Sequence, residues 1–276
     1  MQIGIVTDST SDLPPQILKK YQIESIPAIV VIGGEQFRDS VDLSRKEYYQ
    51  RLPDINPPPT TASPAPGTYE ETYRDIFDKG ADHIISIHAA SDLSAIHDTA
   101  KLVSKGFGSN VTVVDSQQLS LGLGFQVLEA IKAAKKGLEI PEIIARIENI
   151  RGRLQVHAML DTMEQLKRSG RVSWAQAGFG SFLKLKLFIE LKEGQVLREG
   201  QARSRRRAIN SLKDRIRSYG EIEQFAILHT NAEQDAKNIL KELDLSLDED
   251  PFIINVTTVI GTHVGVNALG FVAVLK

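Results

Sequence analysis

The sequence contains no cysteine, which excludes disulfide bonds, thiolate nucleophiles and thiolate metal sites. It also has no run of eighteen apolar residues, and Met1 leads straight into a strand-like segment, so neither a transmembrane span nor a secretory signal is expected. The formal net charge is only −2, which gives the chain no overall attraction to nucleic acid or to anionic membranes. These absences favour a cytoplasmic protein of bacterial type without stable membrane insertion.

Familiar catalytic motifs are also missing. There is no glycine-rich Walker loop, and the Gly-Leu-Gly at residues 122–124 is too short for a dinucleotide fingerprint. The six histidines include no i,i+4 pair, so neither a zinc site nor any other metal site is expected. Ser94 and His263 offer a nucleophile and a base, but no Gly-x-Ser-x-Gly elbow surrounds Ser94. Signals for a hydrolase are therefore weak.

The length of 276 residues exceeds the usual size of one domain, and the composition, with 42% apolar and 25% charged residues, is ordinary for a globular protein. Four apolar runs in the first half are typical of buried strands: residues 3–6, 26–32, 83–87 and 111–114. They alternate with helical patterns, which predicts a mostly parallel α/β sheet. Beyond residue 150 a hairpin pattern and mixed helices predict an α+β arrangement. We therefore predict two domains, 1–150 (α/β) and 151–276 (α+β).

Polar residues ahead of helical patterns predict where three helices of the first half begin. Asp12 is a candidate cap for a helix over residues 14–21. Ser44 with Glu47, and Thr68 with Glu71, have the spacing of capping boxes.

The most informative stretch for function lies near the C-terminus. The apolar run at residues 252–260 predicts a buried strand, and Gly261-Thr262-His263-Val264-Gly265 follows it. Glycines allow a tight turn and close backbone approach to a ligand, so the side chains of Thr262 and His263 are expected to project from the strand end. The alternative is a strand-end turn whose histidine is simply hydrogen-bonded.

Hydroxyl-bearing side chains collect in three further segments. Residues 7–12 follow the first predicted strand, at the edge where open α/β sheets bind ligands, although turn and cap roles are the alternative for most of them. The proline-rich residues 57–66 predict a stiff loop whose hydroxyls lose little freedom on binding. Ser91 and Ser94 precede a predicted helix, where a hydroxyl either caps the helix or helps to bind an anion.

Arginines form the last set of candidates, at positions 168, 171, 203, 205, 206 and 207. A solvated basic face is the usual explanation of such a run. A phosphate or an acidic protein partner is the functional alternative. Nucleic acid is not expected, because the chain is acidic overall and no aromatic residues interleave with the arginines.

Taken together, these motifs resemble the DegV family of bacterial fatty-acid-binding proteins, which act as acyl carriers for a fatty acid kinase. The resemblance runs along nearly the whole chain, and its motifs are residues 7–13, 37–39, 61–66, 93–94, 114–116, 166–172, the segment at Arg203, 261–265 and 268–270. Each motif is modest, but their order and spacing are specific.

The resemblance implies a long-chain fatty acid, such as palmitate, held in the cleft between the two domains, with its tail in an apolar tunnel. Matched motif by motif, the carboxylate would lie at Thr61 and Ser94, with His263 and Thr262 close by. No catalytic residue, metal or cofactor is implied for this chain.

The resemblance further implies a partner. Residues facing a kinase subunit would be Asp39, Arg171 and Arg203. The chain would then present the bound carboxylate for acyl-phosphate formation and would itself be a carrier. Two alternatives stay open: an acyl hydrolase or transferase that uses Ser94 and His263, and a lipid sensor with no kinase partner.

Overall fold

The computed structural model of the protein describes residues 1–176 and 185–276. Two compact units are present. The N-terminal unit comprises Met1–Ile29 and Thr61–Gly152, and the C-terminal unit comprises Val30–Thr60 and Arg153–Lys276. The division predicted from the sequence treated residues 1–150 as one continuous domain. Val30–Thr60 instead packs with the later part of the chain, through contacts that join residues far apart in sequence.

The strands of the described residues are β1 (Ile3–Asp8), β2 (Glu24–Ile26), β3 (Ile29–Ile32), β4 (Glu35–Arg38), β5 (Thr60–Ala62), β6 (His83–His88), β7 (Val111–Asp115), β8 (Leu154–Leu160), β9 (Lys186–Lys192), β10 (Gln195–Ala202), β11 (Ile222–His229), β12 (Phe252–Asn255) and β13 (Leu269–Leu275). The helices are α1 (Pro15–Tyr21), α2 (Arg45–Arg51), α3 (Pro66–Asp78), α4 (Ile96–Ser104), α5 (Leu121–Lys135), α6 (Ile140–Arg153), α7 (Glu164–Ser169), α8 (Ser173–Gln176), α9 (Arg205–Ser218), α10 (Glu233–Glu242) and α11 (Thr258–Val264).

The N-terminal unit is built on a four-stranded sheet in the order β2-β1-β6-β7, with every pairing parallel. This confirms the parallel α/β sheet expected from the sequence. Its core joins the sheet residues Val6 and Ile84 to Tyr69, Tyr73 and Ile76 of α3. Because all strands run the same way, their carboxyl ends meet at one edge of the sheet, where ligands commonly bind in such folds.

Two helix starts in this unit differ from the predictions. α1 begins after Pro14, whereas Asp12 lies at φ 58° at the end of a short 3-10 turn and accepts a hydrogen bond from Ser120. α3 begins at Pro66, so Thr68 lies within its first turn and does not cap it. A proline needs no backbone hydrogen-bond partner in the first turn of a helix, which explains both starts.

The C-terminal unit contains a mixed six-stranded sheet in the order β10-β9-β8-β13-β11-β12. The predicted hairpin of β9 and β10 is antiparallel, as expected. The last two strands are not neighbours, because β11 lies between them and pairs parallel to β12 and antiparallel to β13. Helices α9 and α10 cover one face, with Leu212, Ile216 and Ile239 packed against Phe225 and Phe271.

In the segment Val30–Thr60, β3 and β4 turn at Gly33-Gly34, where both glycines have positive φ. The predicted capping box of α2 is formed, since Ser44 accepts from the Glu47 amide at 3.2 Å and donates to the Glu47 carboxylate at 2.7 Å. Helix α2 is bound into the C-terminal unit by Tyr49, which donates to the carbonyls of Val256 and Thr257.

Candidate functional site

The carboxyl end of β1 is organised by the buried Asp8. One carboxylate oxygen accepts from the amide and hydroxyl of Thr10. The other lies 3.0 Å from His88 Nδ1 and accepts from the Ala89 amide at 3.1 Å. Because His88 and Ala89 follow β6, this one side chain ties together the ends of two neighbouring strands. Asp8 is the key polar residue of the hydroxyl-rich stretch, and its role is structural.

A chain of hydrogen bonds continues from Asp8 into the core. His88 Nε2 lies 2.6 Å from Ser86 Oγ, which lies 2.9 Å from the Tyr73 hydroxyl. We call Asp8, His88, Ser86 and Tyr73 the Asp8 network. Its Ser-His-Asp order is that of a catalytic triad, but Asp8, Ser86 and His88 are each 0% exposed and the serine is bound to Tyr73. A nucleophile must meet its substrate, so this arrangement is not a catalytic site.

Ser94 lies in the loop between β6 and α4 and is partly exposed. Its amide donates to the Ala90 carbonyl at 3.1 Å, and its hydroxyl accepts from the Ile96 amide at 3.4 Å. Ala95, at the N-cap of α4, has no side-chain hydrogen bond to the helix. The start of α4 therefore combines a hydroxyl with the positive end of a helix dipole, which is suited to a carboxylate.

Thr61 lies in β5, within the proline-rich segment that the sequence predicted to be a loop throughout, and its side chain is partly exposed. Ser63, two residues later, has its hydroxyl 3.3 Å from that of Thr99 in α4. The structure therefore brings the segment of Thr61 and the segment of Ser94 together in the N-terminal unit.

Tyr69 reinforces this link. Its hydroxyl donates to the Ile96 carbonyl at 3.2 Å and also hydrogen-bonds Ser63. Its ring is completely buried and stands edge-on to the His88 ring, with 5.8 Å between ring centroids. Burial, followed by the charge of Asp8, raises the pKa of the Tyr69 phenol, so the hydroxyl stays protonated and able to donate.

Thr262 and His263 occupy α11, and the expectation that they project from a strand-end turn is wrong. Strand β12 ends at Asn255, and the chain then turns into a helix that ends at Gly265, at φ 78°. The Thr257 hydroxyl caps this helix by accepting from the Ile260 amide at 3.3 Å. A cap acceptor stabilises the helix start enough to redirect a short β-branched run.

A second cap of α11 comes from a distant part of the chain. Asp39 accepts from both the amide and the hydroxyl of Thr258. Thr262 donates its hydroxyl to the Thr258 carbonyl at 2.8 Å and is 2.5 Å from the Tyr48 hydroxyl. Burial raises the pKa of Tyr48 to about 12, with Thr262 lowering it and Asp39 raising it to smaller extents. The contact between the hydroxyls of Tyr48 and Thr262 thus holds α2 against α11.

His263 is partly exposed, and burial, together with the positive charge of Arg171, lowers its pKa to about 4. Its imidazole is therefore neutral near pH 7, which leaves one ring nitrogen as a donor and one as an acceptor. His263 and Thr262 belong to the C-terminal unit, whereas Thr61 and Ser94 belong to the N-terminal unit. Their joint participation in one site stays a prediction.

The three candidate partner residues lie in different environments. Asp39 is 1% exposed and caps α11. Arg171 is exposed, and its guanidinium donates to the Ser169 carbonyl at 2.6 Å. Arg203 is exposed between β10 and α9, and within the described residues its guanidinium has no hydrogen-bond or ion-pair partner. Arg205, by contrast, is paired with carboxylates and a carbonyl and belongs to the fold.

Residues 1–176 and 185–276 contain no cluster of three histidine, aspartate or glutamate side chains that could hold a metal ion. None of the helices in those same ranges is both long enough and apolar enough to cross a membrane.

Comparison with known proteins identifies the family. The family model described as "Uncharacterised protein, DegV family" matches residues 2–276. The chain belongs to the DegV family. Curated DegV relatives include Protein DegV of Bacillus subtilis, 33% identical over 98% of both chains, and a DegV domain-containing protein of Staphylococcus aureus, 32% identical over 99% of this chain and 98% of the relative.

Solved DegV structures agree in fold over the whole chain. A DegV family protein from Thermus thermophilus, described by its fatty acid binding, superposes with a TM-score of 0.91 at 32% identity, covering 100% of both chains. DegV of B. subtilis, described as a fatty acid binding protein, gives a TM-score of 0.87 at 31% identity, again covering 100% of both.

Sequence reasoning missed some residues that organise this DegV chain. His88, Tyr69 and Tyr48 lie in apolar or aromatic stretches, a pattern that is typical of core residues. His88 had one usable signal, because a histidine that ends a buried strand requires a polar partner. Asp8, in the turn after the neighbouring strand, was that partner.

Proposed function

We propose that this protein binds a long-chain fatty acid and holds its carboxylate with the hydroxyls of Thr61 and Ser94. The observation that carries the proposal is the full-length similarity to the T. thermophilus and B. subtilis DegV proteins, both described as binding fatty acids. Fold alone does not determine function, so the local chemistry of this chain must also fit such a ligand.

The local chemistry supports a carboxylate. Ser94 precedes the first turn of α4, and Thr61 lies in a segment tied to α4 through the hydroxyls of Ser63 and Thr99. Hydroxyl donors beside a helix N-terminus stabilise a negative charge. Neither Thr61 nor Ser94 is fully buried, so each side chain is accessible to a ligand.

Energetics assign different tasks to the two ends of the ligand. Burial of a sixteen-carbon tail, at ~0.8 kcal/mol per methylene, offers on the order of 12 kcal/mol before association costs. A hydrogen bond to the charged head group contributes about 1.5–3 kcal/mol. The tail therefore supplies most of the affinity, and the hydroxyls determine its register and orientation.

His263 completes the proposed set, with Thr262 as its support. A neutral imidazole can donate one hydrogen bond to a carboxylate without adding a buried charge, and the lowered pKa of His263 keeps it in that form. Thr262 is 7% exposed and already bonded to Tyr48, so we propose that it holds α11 in place and does not touch the ligand.

We further propose that the protein is a carrier, which presents the bound carboxylate to a separate kinase subunit for acyl-phosphate formation. The exposed guanidinium of Arg203 suits an acidic partner surface or a nucleotide phosphate, and Arg171 offers a second exposed cation. Because Asp39 is buried, it serves this surface indirectly, by capping α11.

The test is native mass spectrometry of the purified protein, followed by extraction of released lipid and by titration of delipidated protein with palmitate. We expect near-equimolar acyl chain in the purified protein. Ser94→Ala and Thr61→Val should each weaken palmitate binding about 10- to 100-fold, since each loses one hydrogen bond to a charged group.

Matched controls are available on the same elements. Thr60→Val alters the neighbouring residue of β5, whose side chain points to the opposite face of the strand. Ser104→Ala removes a hydroxyl from the far end of α4. Both controls should retain wild-type affinity. Absence of any acyl chain, with no palmitate binding, would end the fatty-acid proposal, and ester turnover abolished in Ser94→Ala would favour a hydrolase.

A further inference from the structure

The loop that carries Ser94 is held at both of its ends by buried groups. At its start, the Ala89 amide donates to Asp8 and the Ala90 amide donates to the Gln118 carbonyl at 3.0 Å. At its end, the Ile96 carbonyl accepts from the Tyr69 hydroxyl. Ser94 lies between these anchors, so its position depends on them.

Tyr69 contacts both the segment of Thr61 and the segment of Ser94. Its hydroxyl hydrogen-bonds Ser63, two residues after Thr61, and Ile96, two residues after Ser94. The Tyr69 hydroxyl thus bridges the two segments, beside the Thr99 hydroxyl, which lies 3.3 Å from that of Ser63 and donates to the Ala95 carbonyl at 2.8 Å. The ring itself is held by helix α3 and by its edge-on contact with the His88 ring.

The position of His88 is set in turn by the Asp8 network. Its two ring nitrogens contact Asp8 and Ser86, so a rotation of the His88 ring would leave a buried polar atom without its hydrogen bond. One direction of donation satisfies every member: Tyr73 donates to Ser86, Ser86 to His88 Nε2, and His88 Nδ1 to Asp8. The contacts between His88 and Tyr69 therefore have a fixed geometry.

We propose that Tyr69 is a positioning residue that sets the separation of the Thr61 and Ser94 hydroxyls, and that the Asp8 network holds Tyr69 in place. This inference rests on the proposed function, because the separation matters only if both hydroxyls bind one carboxylate. Its consequence is selectivity for the head group. The tail gains its affinity from burial, which is insensitive to small displacements of a hydroxyl.

The experiment uses Tyr69→Phe, which keeps the buried ring and removes the hydroxyl. We expect palmitate to bind about tenfold more weakly, while hexadecanol binds within about twofold of wild type, so that the acid-to-alcohol ratio falls. Tyr219→Phe is the matched control: it also removes the hydroxyl of a tyrosine whose ring lies beside a histidine ring, that of His157, but on the C-terminal unit. It should leave the ratio unchanged.

A double-mutant cycle separates positioning from general loosening. If Tyr69 acts through Ser94, Tyr69→Phe should weaken palmitate binding by less than about twofold in the Ser94→Ala background. Additive losses would overturn the proposal. Ser63→Ala provides a second variant if Tyr69→Phe does not fold. It should lower the acid-to-alcohol ratio, and its loss of palmitate affinity should not add to that of Thr61→Val.

Different results would overturn the proposed function and the positioning role of Tyr69. Wild-type protein that binds neither palmitate nor hexadecanol would overturn the proposed function and this inference with it. Wild-type binding with an unchanged acid-to-alcohol ratio in Tyr69→Phe would overturn the inference alone.

Discussion

The stability of the C-terminal unit should depend on pH through the buried His229. This residue ends β11, is 4% exposed, and accepts from the Ala232 amide at Nδ1, 3.3 Å away. Burial lowers its pKa from 6.5 to about 4, with the nearby Glu233 raising it and Lys237 lowering it to smaller extents. Between these two pKa values the unfolded chain binds a proton that the folded chain does not.

The free energy of unfolding therefore falls as the pH falls from about 7 toward 4, and is flat above that range with respect to this group. A difference of 2.5 between the two pKa values corresponds to about 3.4 kcal/mol when fully expressed. Between pH 7.5 and pH 5.0, protonation of the unfolded histidine accounts for about 2 kcal/mol of that loss.

Urea denaturation followed by tryptophan fluorescence provides the assay. Trp174 is the only tryptophan in the sequence, and its indole donates to the Val196 carbonyl at 2.8 Å within the C-terminal unit. In His229→Asn the amide oxygen can still accept from the Ala232 amide, but the side chain no longer titrates. The variant should lose about 2 kcal/mol less than wild type between the two pH values.

An unchanged pH dependence in His229→Asn would refute this reasoning. His263 contributes with the same sign, because burial also lowers its pKa to about 4. Replacement of either histidine alone should therefore leave part of the wild-type pH dependence. Replacement of both should give the flattest profile of stability against pH. Stability that rises toward pH 5 in wild type would contradict both assignments.

Three further predictions concern separate features. Arg203→Ala should leave palmitate affinity unchanged but reduce acyl-phosphate formation with the proposed kinase subunit by about tenfold, whereas Arg206→Ala, an exposed control on α9, should reduce it less. Equal loss of palmitate binding and acyl-phosphate formation in Arg203→Ala would place that arginine in the lipid site. Gly261→Ala should lower stability by about 1–3 kcal/mol in thermal denaturation, because its new Cβ would overlap the hydroxyl and ring of Tyr49. Wild-type stability would mean that the ring moves freely. Tyr48→Phe should cost about 1 kcal/mol by removing the hydroxyl that bonds α11, and no change in melting temperature would show that this bond contributes nothing.

The sequence predicted features whose causes are local. The capping box of Ser44 and Glu47 formed as expected because its hydrogen bonds span only three residues. A local cause also explains the turn at Gly33-Gly34, since both positions have positive φ, which glycine adopts without strain. The parallel strands followed from apolar runs alternating with helical patterns, which have few other arrangements.

Helix α11 shows why the remaining features could not be predicted. Residues 252–260 are almost all apolar or β-branched, which favours a strand by composition. The run is divided at Asn255, and a decisive cap comes from Asp39, 219 residues from Thr258. No local pattern contains that information. The assignment of Val30–Thr60 to the C-terminal unit has the same origin, since it rests on distant contacts such as those of Tyr49.

Sequence motifs point to the partly exposed groups of the candidate site and give no sign of the buried ones. Thr61 and Ser94 stood out only through the motifs of the DegV resemblance, because turns and caps also explain a hydroxyl near a strand end or a helix start. Tyr69 and His88 did not, because an aromatic residue in a buried helical stripe is usually core. The Tyr69 hydroxyl nevertheless bridges the segments of Thr61 and Ser94, and the His88 ring lies against the Tyr69 ring, which only the folded chain reveals.

These buried polar atoms bear on the division between affinity and selectivity in the proposed carrier. A long acyl tail binds by burial, and burial does not distinguish an acid from an alcohol or an ester of equal length. Any preference for the acid must come from polar groups held at the spacing of a carboxylate. A carrier that supplies a kinase requires that preference, because a neutral head group has no carboxylate oxygen to phosphorylate. If the Tyr69 hydroxyl sets that spacing, its loss in Tyr69→Phe should produce a protein that still folds and still binds lipid, but that also carries molecules which the proposed kinase cannot use.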